Sequence, residues 1–234
     1  MLNNDKPPAV DEVLAEEKLS AFPPQPRTNR IAVLGGTFDP PHTGHIALAK
    51  QVLLLDLCDE VMFIPSGNPP HKDARFLSSP EQRMDMLRLA VEGYDSFSVS
   101  DIELQRREGK SYIFDTLQVL SKAFPGDELY FLMGMDCLHD LHNWHRATEL
   151  VQFFNFIIYP RAGLRTPSRA ELNPRFGVRA SSKLLNSIIN IDDMPIWDVS
   201  SRDLREAKRK GGDLSSYLNE KVWQYILSEK LYQN

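Results

Sequence analysis

A glycine pair, a proline pair and two histidines fall within eleven residues of this chain, GGTFDPPHTGH from Gly35 to His45, directly after the apolar run IAVL. His42 and His45 are three residues apart, a spacing that brings two rings to one side of a helix start. Gly35 and Gly36 lack a Cβ, so a ligand can come close to the backbone there. A helix beginning near Thr43 presents free N–H groups and the positive end of its dipole, which favour an anion. Together these residues offer a phosphate site made of two imidazoles and a helix N-terminus. The other reading is a Gly-Pro turn before an ordinary helix, which each histidine taken singly would fit. A metal site is incomplete, because no third histidine or carboxylate pattern lies nearby. The stretch also lacks the Gly-Lys-Ser/Thr ending of a Walker A loop and the G-x-G-x-x-G pattern of dinucleotide sites.

The surrounding elements must place those residues at a sheet edge. Ile31–Leu34 reads as a strand buried on both faces, and Thr43–Leu57 carries apolar residues at helical spacing. Val61–Ile64 predicts a second strand. In SSPEQR, Ser79 is an N-cap, Pro80 the first helical residue and Gln82 the close of a capping box, for a helix to about Val91. The alternation continues with a strand at Phe97–Val99, a helix over Ser111–Ala123 and a strand over Leu129–Leu132. Cys137–Val151 reads as mostly helix and Phe154–Tyr159 as another strand. Pro160–Phe176, rich in Arg and Pro, reads as a surface excursion, and Ile188–Ile191 and Ile196–Val199 as short strands. Helices over about Ser201–Lys210 and Asn219–Glu229 close the chain. Strands alternating with helices imply right-handed βαβ units. The expected class is α/β, a doubly wound, mainly parallel sheet with a small C-terminal helical part. Ligands of such folds bind at the carboxyl ends of the strands, where strand order reverses.

The 234 residues are 42% hydrophobic and 25% charged, with a formal net charge of −5, ordinary for a globular domain. Mild acidity argues against a general nucleic-acid binder but is compatible with a local cationic pocket. Cys58 and Cys137 stand outside any C-x-x-C pattern. Neither a disulfide framework nor a structural zinc site is expected, and the compartment expected is the cytoplasm. No apolar run is long enough to span a bilayer, and the first residues lack a signal-peptide core, so no membrane partner is expected. Residues 1–29, with Pro7–Pro8 and the PPQP run ending at Pro26, read as a flexible Pro-rich extension ahead of one domain over 30–234. Packing of that arm on a neighbouring subunit is the other reading, which leaves a homo-oligomer open.

Further motifs follow the strands in order: FIPSGNPPHK (Phe63–Lys72), SYIFDTL (Ser111–Leu117), FLMGMDCLHDLHNW (Phe131–Trp144), YPRAG around Arg161, and VSSRDLR (Val199–Arg205). GGTFDPPHTGH resembles the nucleotidyltransferase signature G-x-F-D-P-x-H-x-G-H. With the later motifs, the chain from roughly Arg30 onward resembles the bacterial nicotinate-nucleotide adenylyltransferase family. That resemblance implies adenylyl transfer from ATP to nicotinate mononucleotide, giving nicotinate adenine dinucleotide and pyrophosphate in NAD biosynthesis. Mg2+ would arrive with ATP, without a resident metal site.

The resemblance assigns catalysis to His42, His45, Lys72 and Arg205. It assigns ATP contacts to Gly35, Gly36, Thr37, Phe38, Gly44, Gly134, Asp136, Ser200, Ser201 and Arg202, and mononucleotide contacts to Thr116, Trp144 and Arg161. Ile113, Ala162 and Arg202 stand where the family has Thr, Pro and Thr. By residue type alone, Lys72 is an exposed lysine on a Pro-rich turn, Thr116 part of a packed helix start and Trp144 a core residue. Same-fold enzymes with nicotinamide mononucleotide or pantetheine phosphate as acceptor remain open, as does a non-catalytic nucleotide-binding module.

Overall fold

The computed structural model describes residues 28–67, 77–106, 110–161, 163–190 and 199–233. Five strands make one sheet: β1 (Arg30–Gly36), β2 (Glu60–Pro65), β3 (Phe97–Val99), β4 (Glu128–Gly134) and β5 (Asn155–Tyr159). Their order is β3-β2-β1-β4-β5, with every neighbouring pair parallel. The strands read as continuous apolar runs because helices cover both faces. Ile31 and Val33 pack with Phe131, Met133 and Ile158 on one face. Ala32 and Leu34 pack with Val61, Phe63 and Ile157 on the other.

The second face is covered by α1 (Thr43–Leu54), through Leu48, Ala49 and Val52, and by α2 (Pro80–Val91), through Leu87 and Val91. The first face is covered by α3 (Ile113–Ala123), α4 (Met135–Asp140), α5 (Ala147–Phe153) and, beyond α6 (Arg169–Phe176), by α7 (Val178–Asn186). A third cluster joins Met86 of α2 to α8 (Ser201–Arg209) and α9 (Glu220–Ser228) through Leu204, Val222 and Trp223. That cluster is the small helical part expected at the C-terminus, and it ties the end of the chain to the second face.

Local chemistry sets most boundaries where the residue pattern puts them. The Ser79 side chain accepts from Gln82 N–H at 3.2 Å and Ser79 N–H donates to the Gln82 side chain at 3.0 Å, so α2 starts with the predicted reciprocal cap. α1 is shorter than predicted, ending at Leu54 before Asp56 turns left-handed at φ 53°. Three expectations need correction. The helix over Cys137–Val151 is broken: α4 passes into a 3-10 turn at Leu141–Asn143, and Arg146 adopts φ 53° before α5. The excursion over Pro160–Phe176 ends in α6, whose Ser168 N–H donates to Glu171 at 2.8 Å as a cap. Ile188 makes one bridge to Ile158 rather than a strand. Most of the Ile196–Val199 reading, and the extension over residues 1–27, lie outside the described residues.

Arg83 of α2 is the polar exception in this packing. It is only 2% exposed, and its Nη1 donates to the carbonyls of Thr37 (3.1 Å) and Ser66 (2.7 Å). Its Nε reaches the Ser78 carbonyl at 3.3 Å. The guanidinium therefore ties the segment after β1 to both ends of the segment joining β2 to α2. An Arg83→Met variant keeps the stem and strands three carbonyls, which should cost about 2–4 kcal/mol of unfolding free energy. Urea titration checks this, and an unchanged midpoint would refute the clamp.

Candidate active site

Parallel register brings the carboxyl ends of four strands to one edge, with Gly36 level with Pro65 and Gly134 level with Tyr159. Strand order reverses between β1 and β4, so the segments leaving them border a crevice. Gly35 is exposed at this edge. Gly36 must lack a side chain, because a Cβ there would stand 2.9 Å from the Phe38 ring. Phe38 turns back at φ 49° and is buried, 5.8 Å between ring centres from Phe63. Thr37 is buried too, its carbonyl taken by Arg83. The resemblance put both residues at the nucleotide, yet their side chains stand behind the crevice and shape its backbone.

His42 is the N-cap of α1 and is 7% exposed, with a buried Nδ1 that has no hydrogen-bond partner among the described residues. Its backbone N–H donates to Nδ1 of His45 at 3.2 Å, and the two rings lie 3.7 Å apart, centre to centre, at 30°. His45 also meets the Phe38 ring edge-on at 5.0 Å. The pair is thus brought together as the spacing predicts. Gly44 permits this: a Cβ would lie 3.1 Å from His42 Nδ1 and 2.9 Å from Val199. Burial pushes the His42 pKa down to about 4, with the Arg161 charge adding to the effect. His42 is therefore neutral near pH 7, and one of its ring nitrogens still carries a proton.

Arg161, just past β5, pairs with Asp136 at 2.8 Å, both side chains half exposed. Asp136 lies in the first turn of α4 and folds back over Gly134, where a Cβ would come within 2.4 Å of its carboxylate. Trp144 packs on Phe131 with its ring centre 6.0 Å away, while its indole N–H reaches Asp140 at 3.3 Å. Across the crevice, Ser200 caps α8 by accepting Asp203 N–H at 3.2 Å, and Ser201 donates to the Pro40 carbonyl at 2.8 Å. Arg205 donates to the Asp39 carbonyl at 2.6 Å, so α8 is fastened to the segment after β1. Arg202 is exposed. Thr116 is fully buried and its hydroxyl donates to Glu103 at 2.8 Å, which leaves no surface for the direct mononucleotide contact expected of it. Lys72 lies outside the described residues.

Three residues central to this arrangement were not singled out from the sequence. Asp39 is fully buried inside the GGTFDPPHTGH stretch, Arg83 looks like one more helix charge, and Glu103 is buried beside Thr116. Burial raises the pKa of Glu103. Only Asp39 lay within a motif that could have flagged it.

A surface cavity of about 520 Å³ lies by Arg30 at the opposite, amino edge of the sheet. Arg30 is already held there by Asp56 and Asp59, so strand geometry rather than cavity size locates the site. A smaller one, about 290 Å³, opens beside His42 and Thr43. Among the described residues, no helix is long and apolar enough to cross a membrane.

The cytidylyltransferase-like family model matches residues 33–207. A nicotinate-nucleotide adenylyltransferase of Bacillus subtilis is 34% identical over 205 residues, covering 88% of this chain and 99% of that protein. The chain belongs to the nicotinate-nucleotide adenylyltransferase family. A Clostridium tetani relative named "Probable nicotinate-nucleotide adenylyltransferase" is 35% identical over 202 residues, 86% of this chain and 98% of its own. A Plasmodium falciparum nicotinic acid mononucleotide adenylyltransferase, solved in complex with NaAD, superposes with a TM-score of 0.69 at 20% identity. It covers 87% of this chain and 97% of that one, and it establishes the shared Rossmann-like fold. Like other nicotinate-nucleotide adenylyltransferases, the protein is a nucleotidyltransferase.

The depressed pKa of His42 has a signed consequence. An unfolded histidine titrates near 6.5, so between about 6.5 and 4 the unfolded chain binds the extra proton. The contribution of neutral, buried His42 is complete above pH 6.5 and is lost as the pH falls through 4. Unfolding free energy should drop on the order of 3 kcal/mol over that window, and less in a His42→Gln variant. Nitrogen NMR of the free protein should show the imidazole still neutral at pH 5. Protonation near 6.5 would contradict the burial argument.

Proposed function

We propose that this family member joins MgATP to nicotinate mononucleotide using the crevice between β1 and β4. The observation that carries the reading is the closely packed, tilted His42–His45 pair at the start of α1, with Arg161 close enough to act electrostatically on His42. An ionised 5′-phosphate oxygen of the mononucleotide attacks the α-phosphorus of ATP. The new P–O bond forms as the bond to the α,β-bridging oxygen breaks, and pyrophosphate carries the electron pair away. The nucleophile is already anionic, so no general base and no covalent enzyme intermediate are needed. The chain's task is to hold two polyanions in line and to stabilise charge as it moves onto pyrophosphate.

In this reading His45, half-buried at the crevice, lies nearest the α-phosphorus, and His42 donates to an adjacent phosphate oxygen. The approach of an anion offsets the burial that keeps His42 neutral, so ATP binding is coupled to proton uptake. Ser200, Ser201 and Arg202 at the start of α8, with Arg205 behind them, face the β- and γ-phosphates, and Lys72 neutralises the transferring group. Gly35, Gly36 and Gly44 admit the nucleotide. Gly134 and Asp136 meet its sugar, Trp144 offers a face to the pyridine ring, and Arg161 takes the mononucleotide phosphate. Mg2+ enters as part of the nucleotide substrate, largely keeping its own water. Free Cys58 and Cys137 suit a reducing cytoplasm.

Pyrophosphate release with MgATP should be fast with nicotinate mononucleotide and slow with nicotinamide mononucleotide. His45→Ala should lower kcat by about 10²–10³, the range for a lost donor to a developing anion, while ATP binding persists. Preference for the amide would overturn the acceptor. ATP binding without turnover on either would point to the silent-module reading.

A further inference from the structure

The end of the chain lies against the loop that carries the histidines. Beyond α9, Leu231 is buried in the cluster that contains Met86. Lys230 and Tyr232 adopt φ 54° and φ 59°, turning the last residues back. The Tyr232 hydroxyl then donates to Oδ1 of Asp39 at 2.6 Å, across 193 positions of sequence. The Ser78 backbone N–H donates to Oδ2 of the same aspartate at 3.3 Å. Arg205 completes the ring, 3.8 Å from Asp39 Oδ2 and 2.6 Å from the Asp39 carbonyl. Asp39 has no solvent exposure and stands three residues before His42.

We propose that Tyr232 is a positioning residue for adenylyl transfer: its hydroxyl fixes Asp39, and through Asp39 the carbonyl that seats Arg205 and the turn that aims His42. This rests on the reading of the crevice given above. A buried carboxylate keeps one orientation only while its donors hold it. Without the tyrosine hydroxyl, Asp39 loses the donor that fixes Oδ1 and must rotate, and the phosphate-facing groups on either side move with it. Phosphoryl transfer is sensitive to displacements of well under 1 Å, so a group that never touches substrate can govern how ATP is held.

Tyr232→Phe tests this, because it keeps the ring and removes only the donor. The expected result is a rise of about tenfold in both KM and Kd for MgATP, the effect of one hydrogen bond to a charged group. KM for the mononucleotide should stay within about twofold. Tyr225→Phe is the control, since Tyr225 of α9 bonds Asp85 of α2 at 3.4 Å. It should lower the melting temperature without moving KM. Adding Tyr232→Phe to Asp39→Asn should cost nothing beyond Asp39→Asn alone, as two members of one unit require. Wild-type KM and Kd for MgATP in Tyr232→Phe would overturn the inference, whatever the melting temperature. Should the unaltered protein fail to turn over nicotinate mononucleotide, the proposed reaction fails, and MgATP titration by calorimetry still decides the role of Tyr232.

Discussion

The burial of one carboxylate organises this protein. An aspartate without solvent has to be surrounded by donors and countercharge, because an isolated buried ion is too costly to keep. Asp39 meets that requirement with groups from three places: Ser78 just ahead of α2, Arg205 in α8, and Tyr232 at the end of the chain. Arg83 supplies further positive charge from the neighbouring turn of α2 while binding the Thr37, Ser66 and Ser78 carbonyls. Satisfying Asp39 therefore draws together the segment after β1, the segment after β2 and the C-terminal helices. The third hydrophobic cluster holds those helices in place by conventional packing, but the polar ring decides which loops they touch.

The electrostatic state of the crevice follows. Arg83 and Arg205 are occupied with carbonyls and with Asp39, Arg161 is paired with Asp136, and His42 is held neutral by burial. The free site is thus a set of donors whose charges are balanced or withheld. In the proposed reading, an arriving polyphosphate meets N–H groups already oriented by the fold and supplies the charge that lets them strengthen. Preorganised donors of this kind contribute most when little reorganisation remains for the moment of reaction.

Much of this was legible from local sequence, and the misplaced side chains share a cause. Strand runs, the Ser79 cap and the paired histidines depend on neighbours within a few residues, so their pattern suffices. Phe38, Thr37 and Thr116 were assigned to ligands by their place in motifs, yet the side chains face inward, because side-chain direction depends on what packs from elsewhere. Arg83 reads as a solvated helix charge until three carbonyls from two loops are placed around it. Tyr232 carries no motif, and its partner is set by tertiary closure. The missed helix α6 has a different origin: it buries only Leu172, so the apolar periodicity that reveals a helix is weak there.

The two sides of the crevice are held with unequal stiffness. On the β1 side, Ser201 and Arg205 are secured by half-buried bonds to backbone, and displacing either strands a polar group. On the β4 and β5 side, Asp136–Arg161 and Trp144–Asp140 are pairs reached by water, and such contacts contribute little to a fixed geometry. In the proposed reading the donor nucleotide, whose α-phosphorus must be placed to a fraction of an ångström, lies on the stiff side. The acceptor, which needs recognition more than strain, then meets the side that can be rebuilt by surface substitution without disturbing Asp39. A fold divided in this way can exchange one acceptor for another while its phosphate-handling loops stay as they are, since the buried ring that sets those loops makes no demand on the residues past β4 and β5.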